Sequence, residues 1–440
     1  MDFIFDHIEP EIFAGIVLAL TFGVMLIQGV PISVAIAVSS IITAAFFMPI
    51  DTAFFVATQK MYAGIDSFTL LAIPFFILSG NIMNKGGIAM RLVNLAKLLG
   101  GRLPGYLAHT NVIANMLFGS LSGSSIAAAA AVGGVMGPLE KEEGYDPVFS
   151  ATVNICSAPS GIIIPPSGPL ILFSLVSGGT SIAALFVGGY VPGIMMGLSI
   201  MVVTYFMAKK RGYVGGKRDG GDSALKIFLQ AIPSLLMIVV VIGGIIIGAF
   251  TATEGAAVAA LYAFLLSLIY RLASPREYWD VLKSTTITSA TILFLIAASG
   301  IMSYTMTITG IPEAVADALL YFEHPLAILL VMNIILLIVG TFMDLTPAVL
   351  IFTPIFMPIA NHIGMDPVHF GLMMIFNMAL GNVTPPVGSV LFVGCSIADV
   401  TIEQVTRMLP PFLAILFVDL LIVVYVPAVS LFLPRLFGLM

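Results

Sequence analysis

Charge is what this chain has least of. Asp, Glu, Lys and Arg together make up 9% of its 440 residues, against about 25% in an ordinary soluble domain. So few charges cannot cover a normal water-exposed surface, which excludes a soluble enzyme or binding module. Cysteine is nearly missing as well: Cys156 and Cys395 both lie in apolar runs, so they imply no disulfide framework and read as packing residues. The five histidines (His7, His109, His324, His362 and His369) show no metal-ligand spacing, and neither HExxH nor GxSxG occurs. No Walker A sequence is present, so the chain does not itself hydrolyse ATP, and no basic, aromatic-interleaved patch fits nucleic acid. The acidic start, "MDFIFDHIEPEIF", lacks the basic n-region of a cleaved signal, so the first apolar span is expected to be retained. No catalytic residue and no cofactor are expected.

What fills the chain is hydrocarbon. Hydrophobic residues are 59% of it, with a mean hydropathy of +1.11. Transmembrane β-strands would show short alternating segments, and none occur, so an all-α polytopic membrane protein is expected. Taking about 20 apolar residues per span, helices are expected near 12–30, 32–50, 68–84, 147–177 and 181–208, and again near 226–249, 252–270, 285–308, 367–396 and 405–433. Segments 105–140 and 325–360 differ. Each carries two apolar arms of about 14 residues around a polar turn, a length that suits a re-entrant hairpin.

The two halves repeat. Pro165-Pro166 and Pro385-Pro386 lie 220 positions apart, and the same ungapped offset pairs Asp146-Pro147-Val148 with Asp366-Pro367-Val368. It also pairs Pro138 with Pro358, Gly161 with Gly381, Gly168 with Gly388, and Ser79-Gly80 with Ser299-Gly300. Each half therefore holds five crossings and one hairpin, and an odd number of crossings forces the halves into opposite orientations, the inverted repeat of many secondary transporters. Lys85, Arg91, Lys97 and Arg102, and then Lys209, Lys210, Arg211, Lys217 and Arg218, mark two cytoplasmic loops, at 85–104 and 209–218. Loop 309–324 has Glu313, Asp317 and Glu323 without Lys or Arg, so it falls outside, as does the N-terminus. The first hairpin then opens from the cytoplasm, although "LEKEEGYD" at 139–146 is acidic. Segments 51–68 and 271–286 mix aromatics with charges, and Trp279 lies in the second; both read as interfacial arms at equivalent places.

Proline inside a helix removes a backbone bond, and in lipid the freed carbonyl has no water to turn to. Four such breaks occur: "GSLSGSS" (119–125), "SGIIIPPSG" (160–168), "GTFMDLTP" (340–347) and "GNVTPPVG" (381–388). All combine glycine with Ser, Thr or Asn oxygens, hard neutral ligands suited to Na⁺. Two quasi-symmetric cation sites with substrate between the hairpin tips are one expectation; kinks repaired by neighbouring helices, with no ligand, are the other. Ser122, Pro166, Ser167, Thr346 and Pro386 are the candidates for substrate contact. Asp344 could ligate a cation or cap the helix that follows it. Glu254 reads as an interfacial residue and Asp419 as a packing contact.

"GSLSGSSIAAAAAVGGVMGPLEKEEGYDP", then "SAPSGIIIPPSG", and later "GTFMDLTPAVLIFTPIFMPIA" and "NVTPPVG" resemble the large membrane subunit (DctM type) of tripartite ATP-independent periplasmic transporters, across essentially the whole chain. The resemblance implies a bacterial inner-membrane importer of organic acids, such as C4-dicarboxylates or sialic acids, by symport with Na⁺. It implies two partners: a periplasmic binding protein of the DctP type and a small four-helix membrane subunit of the DctQ type. It implies elevator transport, with hairpins and broken helices moving against a scaffold. On that basis 1–67 is scaffold and first arm, and 68–177 the first transport half. Scaffold, cytoplasmic linker 209–225 and second arm occupy 178–287; 288–400 is the second transport half and 401–440 a last scaffold helix. The Na⁺ ligands it implies fall among Ser120, Ser124, Ser125, Ser160 and Gly161, and among Gly340, Thr341, Asp344, Gly381, Thr384 and Gly388; no other metal is expected. A stand-alone Na⁺- or H⁺-coupled anion carrier of the same broad architecture is the nearest competing expectation.

Overall fold

Helix boundaries fall where proline, glycine and capping side chains put them. The computed structural model describes residues 9–85, 88–101, 103–216, 224–270, 274–322 and 324–440. Among these, every regular element is helical. Arg102, Lys217, Arg218, Glu323, His7 and the Lys85 side chain lie outside the described part.

The first half opens with α1 (Pro10–Ile27), α2 (Ile32–Phe47), an arm α3 (Ile50–Ile65), α4 (Ala72–Lys85) and α5 (Ile88–Gly100). A hairpin of α6 (Tyr106–Ser122) and α7 (Ser125–Glu142) follows. A helix broken into α8 (Pro147–Ser157), α9 (Ser160–Ile163) and α10 (Gly168–Val176) then leads to α11 (Ile182–Lys210). The second half answers with α12 (Ala224–Ile246), α13 (Ala252–Ile269), α14 (Pro275–Ile308) and α15 (Ile311–Leu320). Its hairpin is α16 (Pro325–Phe342) and α17 (Leu345–His362), its broken helix α18 (Pro367–Gly381) and α19 (Ser389–Ala398). The chain closes with α20 (Ile402–Met408), α21 (Pro410–Tyr425) and α22 (Ala428–Leu436).

The repeat is visible in the caps. Asp146 and Asp366 each accept a bond from the backbone N–H two residues on, at 3.0 and 2.8 Å, just ahead of an N-terminal proline that needs no partner. Both Pro-Pro bonds are cis. Each hairpin packs on the broken helix of its own half through glycine. A Cβ on Gly119 would come 2.6 Å from the Gly161 Cα, and one on Gly381 2.7 Å from the Gly340 Cα. Side chains are excluded there, so the backbones touch. Amides hold the same pairs: Asn115 donates to Asn154 Oδ1 at 3.0 Å and to the Ser157 hydroxyl at 2.8 Å. Asn377 donates to Asn333 Oδ1 at 2.8 Å. The second arm of each hairpin also packs across the halves, α7 on α19 and α17 on α10. Ser199 and Asp419 are 220 positions apart, and the Ser199 hydroxyl donates to Asp419 Oδ1 at 2.9 Å. A residue that touches its own repeat mate lies on the pseudo-two-fold axis.

Several expectations need correction. The expected loops at 85–104 and 309–324 contain helices α5 and α15. Leu92, Val93, Leu95 and Ala96 are buried against α6 and α12, and Arg91 lies over the Tyr270 ring at 3.4 Å. A basic face had masked this apolar one. The two arms are not alike: α3 bends by 61° into the helix after it, whereas the second arm runs unbroken into α14 over 34 residues. Asp66 and Ser67 leave helical geometry in the first, while "KSTTITS" (283–289) keeps it in the second. Segment 405–433 is three helices, not one, bent by 56° at Val426-Pro427. The hairpin arms are 17 or 18 residues long, rather than 14, because polar ends such as His109–Asn111 and Glu140–Glu142 join the helices. Helix α4, grouped by sequence with the first hairpin, packs chiefly on α13 and α14. By length and composition seven described helices can cross a bilayer, or eleven with each bent pair taken as one span.

Candidate functional site

Three of the four chain breaks, the two hairpin tips and the first broken helix, meet in one region, while the second break (381–388) stands behind the second tip with its Gly388 N–H on the Thr341 carbonyl. Between them lies a cavity of about 560 Å³. One wall is the two tips, Ser122 to Ala127 and Asp344 to Pro347, with Pro166 and Gly168 from the first broken helix. The other wall comes from α2, α4 and α14, and its polar groups are Ser33, Asn81, Asn84, Thr288 and Thr291. Among the described lining residues there is no Lys, Arg or His.

Three helices present their first residues to this space: Ser125 of α7, Gly168 of α10 and Leu345 of α17. The first turns of a helix carry unpaired N–H groups and a partial positive charge, so three together favour an anion. Against them stands one carboxylate. Asp344 is half-buried on the cavity wall, and its Oδ1 accepts from the Ser389 hydroxyl at 3.3 Å. It closes no well-formed cap bond to the helix it precedes, although its carboxylate stands beside the Leu345 N–H that opens that helix. Its repeat mate Ser124 does cap, accepting from Ala127 N–H at 3.2 Å.

The expected residues separate into two layers. Ser122, Ser124, Ser125, Pro166, Asp344 and Thr346 line the cavity. Behind them, Ser120 donates to the Leu117 carbonyl at 2.9 Å and Ser160 to the Ser157 carbonyl at 2.6 Å. Thr341 and Thr384 likewise donate to Ile338 and Leu380 carbonyls, at 2.7 and 2.8 Å. Gly161, Gly340 and Gly381 are the backbone crossings already described. Gly388, with φ of 50°, donates its N–H to the Thr341 carbonyl at 2.9 Å and so ties the second break to the second tip. Two substrate candidates are elsewhere. Ser167 is buried away from the cavity and Pro386 is exposed outside it, because the break turns both away from the tips. Glu254 is exposed in a capping box with Thr251, consistent with an interfacial place.

Sequence reasoning missed the wall opposite the tips. Asn81 and Asn84, and Thr288 and Thr291, stand three apart on apolar helices and so share a face. That spacing was the available signal. Comparing the halves hid it, because Ile301 and Tyr304 occupy the counterparts of Asn81 and Asn84.

Similarity to known proteins agrees with this architecture. Residues 19–429 match the family model "Tripartite ATP-independent periplasmic transporter, DctM component". The uncharacterized protein YgiK of Salmonella typhimurium is 51% identical over 99% of both chains. The C4-dicarboxylate TRAP transporter large permease protein DctM of Rhodobacter capsulatus is 37% identical over 97% of this chain and 100% of its own. The sialic acid TRAP transporter large permease protein SiaM of Vibrio cholerae is 38% identical over 87% of this chain and 90% of its own. Among solved structures, the Alcanivorax borkumensis YdaH transporter superposes with a TM-score of 0.63 at 12% identity, covering 85% of this chain and 87% of that one. That likeness concerns the fold alone. A match across nearly the whole length makes this polytopic, non-enzymatic membrane protein a member of the DctM family of TRAP transporter large permeases.

Proposed function

We propose that the chain carries an organic-acid anion inward across a bacterial inner membrane, coupled to Na⁺, with the N-terminus on the periplasmic side. The observation that supports this most is the composition of the cavity: three helix N-termini and a ring of hydroxyls and amides, with a single carboxylate, Asp344. The helix ends suit a substrate carboxylate. Asp344 opposes it, since two like charges at close range in a poorly solvated site repel strongly. A Na⁺ beside Asp344 and the tip oxygens removes that repulsion, so anion affinity rises only when the cation is bound. That is coupling by charge.

The relatives named for C4-dicarboxylates and sialic acid suggest the substrate class. Their shared family name implies two further components, a DctP-type binding protein that delivers the substrate and a DctQ-type subunit that braces the permease. An elevator motion fits the packing. Hairpins and broken helices hold each other through glycine contacts and buried amides. They meet α2, α4 and α14 across the cavity.

Reconstitution into proteoliposomes tests the proposal. Uptake of the cognate acid is expected to require an inward Na⁺ gradient, the binding protein and the small subunit together. Ser124→Ala combined with Thr384→Ala is expected to abolish Na⁺ activation. Unchanged activation in that variant removes the assigned ligands, and uptake without the binding protein removes the tripartite reading.

A further inference from the structure

A second cavity, of about 400 Å³, lies among α7, α8 and the end of α19. Glu140, on its wall, is fifteen residues along α7 from the tip, about 22 Å at helical rise. It is therefore separate from the cavity between the tips. Glu140 is 1% exposed. Its Oε1 accepts one long bond, 3.4 Å, from Asn111, and the Ser150 hydroxyl stands beside the carboxylate without closing a well-formed bond to Oε2. No described Lys, Arg or His forms an ion pair with it; Lys141 also lines this cavity, but it is exposed and does not pair with the carboxylate. Leaving a carboxylate this deeply buried and this poorly partnered is costly.

The fold does not require this arrangement, because the other half does without it. At the repeat counterparts of Glu140, Tyr145, Ser150 and Asn154 stand Ala360, Met365, Phe370 and Met374. There Phe370 packs against Phe173 with ring centroids 5.9 Å apart. The repeat counterparts of Phe370 and Phe173 are Ser150 and Val393, so no ring pair forms around Ser150, and a polar cavity opens there instead. The Glu140 carboxylate and the Ser150 hydroxyl on its wall are oxygens of the kind a hard cation takes. Asn115 donates to the Asn111 and Asn154 amide oxygens at 3.0 Å each, which fixes those two amides in the wall. Exposed Asp399 lines the mouth, and Glu142 and Glu143 follow on the chain, an acidic approach that concentrates cations. This gives the acidic "LEKEEGYD" stretch a physical role.

We infer that this cavity binds one monovalent alkali cation, with the Glu140 carboxylate as its charged ligand and the Ser150 hydroxyl among its neutral ones. One buried carboxylate balances one positive charge; a divalent ion would call for more.

Hydrogen exchange by mass spectrometry on the full chain tests this, comparing NaCl and KCl with choline chloride at constant ionic strength. In an alkali salt, peptides covering 133–154 are expected to exchange at least threefold more slowly. Glu140→Gln removes that effect and leaves any response of the tip peptides, 119–127 and 340–347, unchanged. Ser150→Ala raises the half-saturating salt concentration at 133–154 several-fold. Protection at 133–154 that survives Glu140→Gln, or that is missing from the wild type, overturns the inference. So does exchange that follows pH and ignores the alkali ion, which would assign the carboxylate to a proton. A response at 133–154 with none at the tips supports this site while counting against Na⁺ coupling in the first cavity.

Discussion

Gly161 shows how much one missing methyl group can carry. A Cβ there would collide with the Gly119 Cα and with the Asn115 carbonyl, all backbone atoms that cannot swing aside. Overpacking a well-filled interior costs about 1–3 kcal/mol even where side chains can adjust, and here they cannot. Gly161→Ala is therefore expected to lower the apparent Tm in detergent by many degrees or to prevent recovery of folded protein. Gly137→Ala has nothing within 4 Å of the new atom and is expected to leave Tm within error. Thermal unfolding of the two variants side by side checks this. The importance of Gly161 was legible in the sequence through its register mate Gly381, but the reason was not. The pairing with Gly119 joins residues that lie far apart along the chain and only meet once the hairpin has folded back. Ser167 and Pro386 do not line the cavity for a related cause: sequence shows that a helix breaks, not which of its residues face the tips.

At the scale of elements, the caps were readable and the arms were not. Ser274 opens α14, accepting from Glu277 N–H at 3.4 Å while the Glu277 carboxylate accepts from Ser274 N–H at 2.6 Å. A reciprocal cap of this kind contributes about 0.5–2 kcal/mol. Ser274→Ala is expected to lower the apparent Tm modestly and to speed hydrogen exchange in the first turns of α14, with exchange around 295–305 unchanged. Uniform acceleration along the whole helix would show that the cap matters less than the packing. What composition could not show is that one arm would bend and its copy stay straight. Both mix aromatics with charge, and the first leaves helical geometry at Asp66 and Ser67. Helix α5 was lost for another reason. Positive-inside counting treats Lys and Arg as marks of a loop, whereas Arg91 and Lys97 belong to α5, whose buried face packs on α6 and α12.

For the whole molecule, the duplication told most of the architecture, since a repeat with an odd number of crossings has little choice of arrangement. On the axis the halves meet through a polar contact. Asp419 is buried, with the Ser199 hydroxyl on Oδ1 and no partner on Oδ2. Removing the donor leaves the carboxylate worse off, while removing both groups leaves nothing to satisfy. Ser199→Ala is thus expected to destabilise by about 1–3 kcal/mol, and Ser199→Ala with Asp419→Ala together by less than the single change plus its partner. A double-mutant cycle on thermal stability measures the coupling; strict additivity would mean that the pair does not join the halves.

That contact has a further consequence. Had each half been a separate polypeptide pairing with an identical copy, any residue on the axis would face itself. Serine would meet serine, or aspartate would meet aspartate with its charge repelled. When the two copies share one chain, a hydroxyl can instead stand opposite a carboxylate at the centre. Joining the halves thus frees each from being a replica of the other, and Glu140 opposite Ala360 shows that freedom used away from the axis as well.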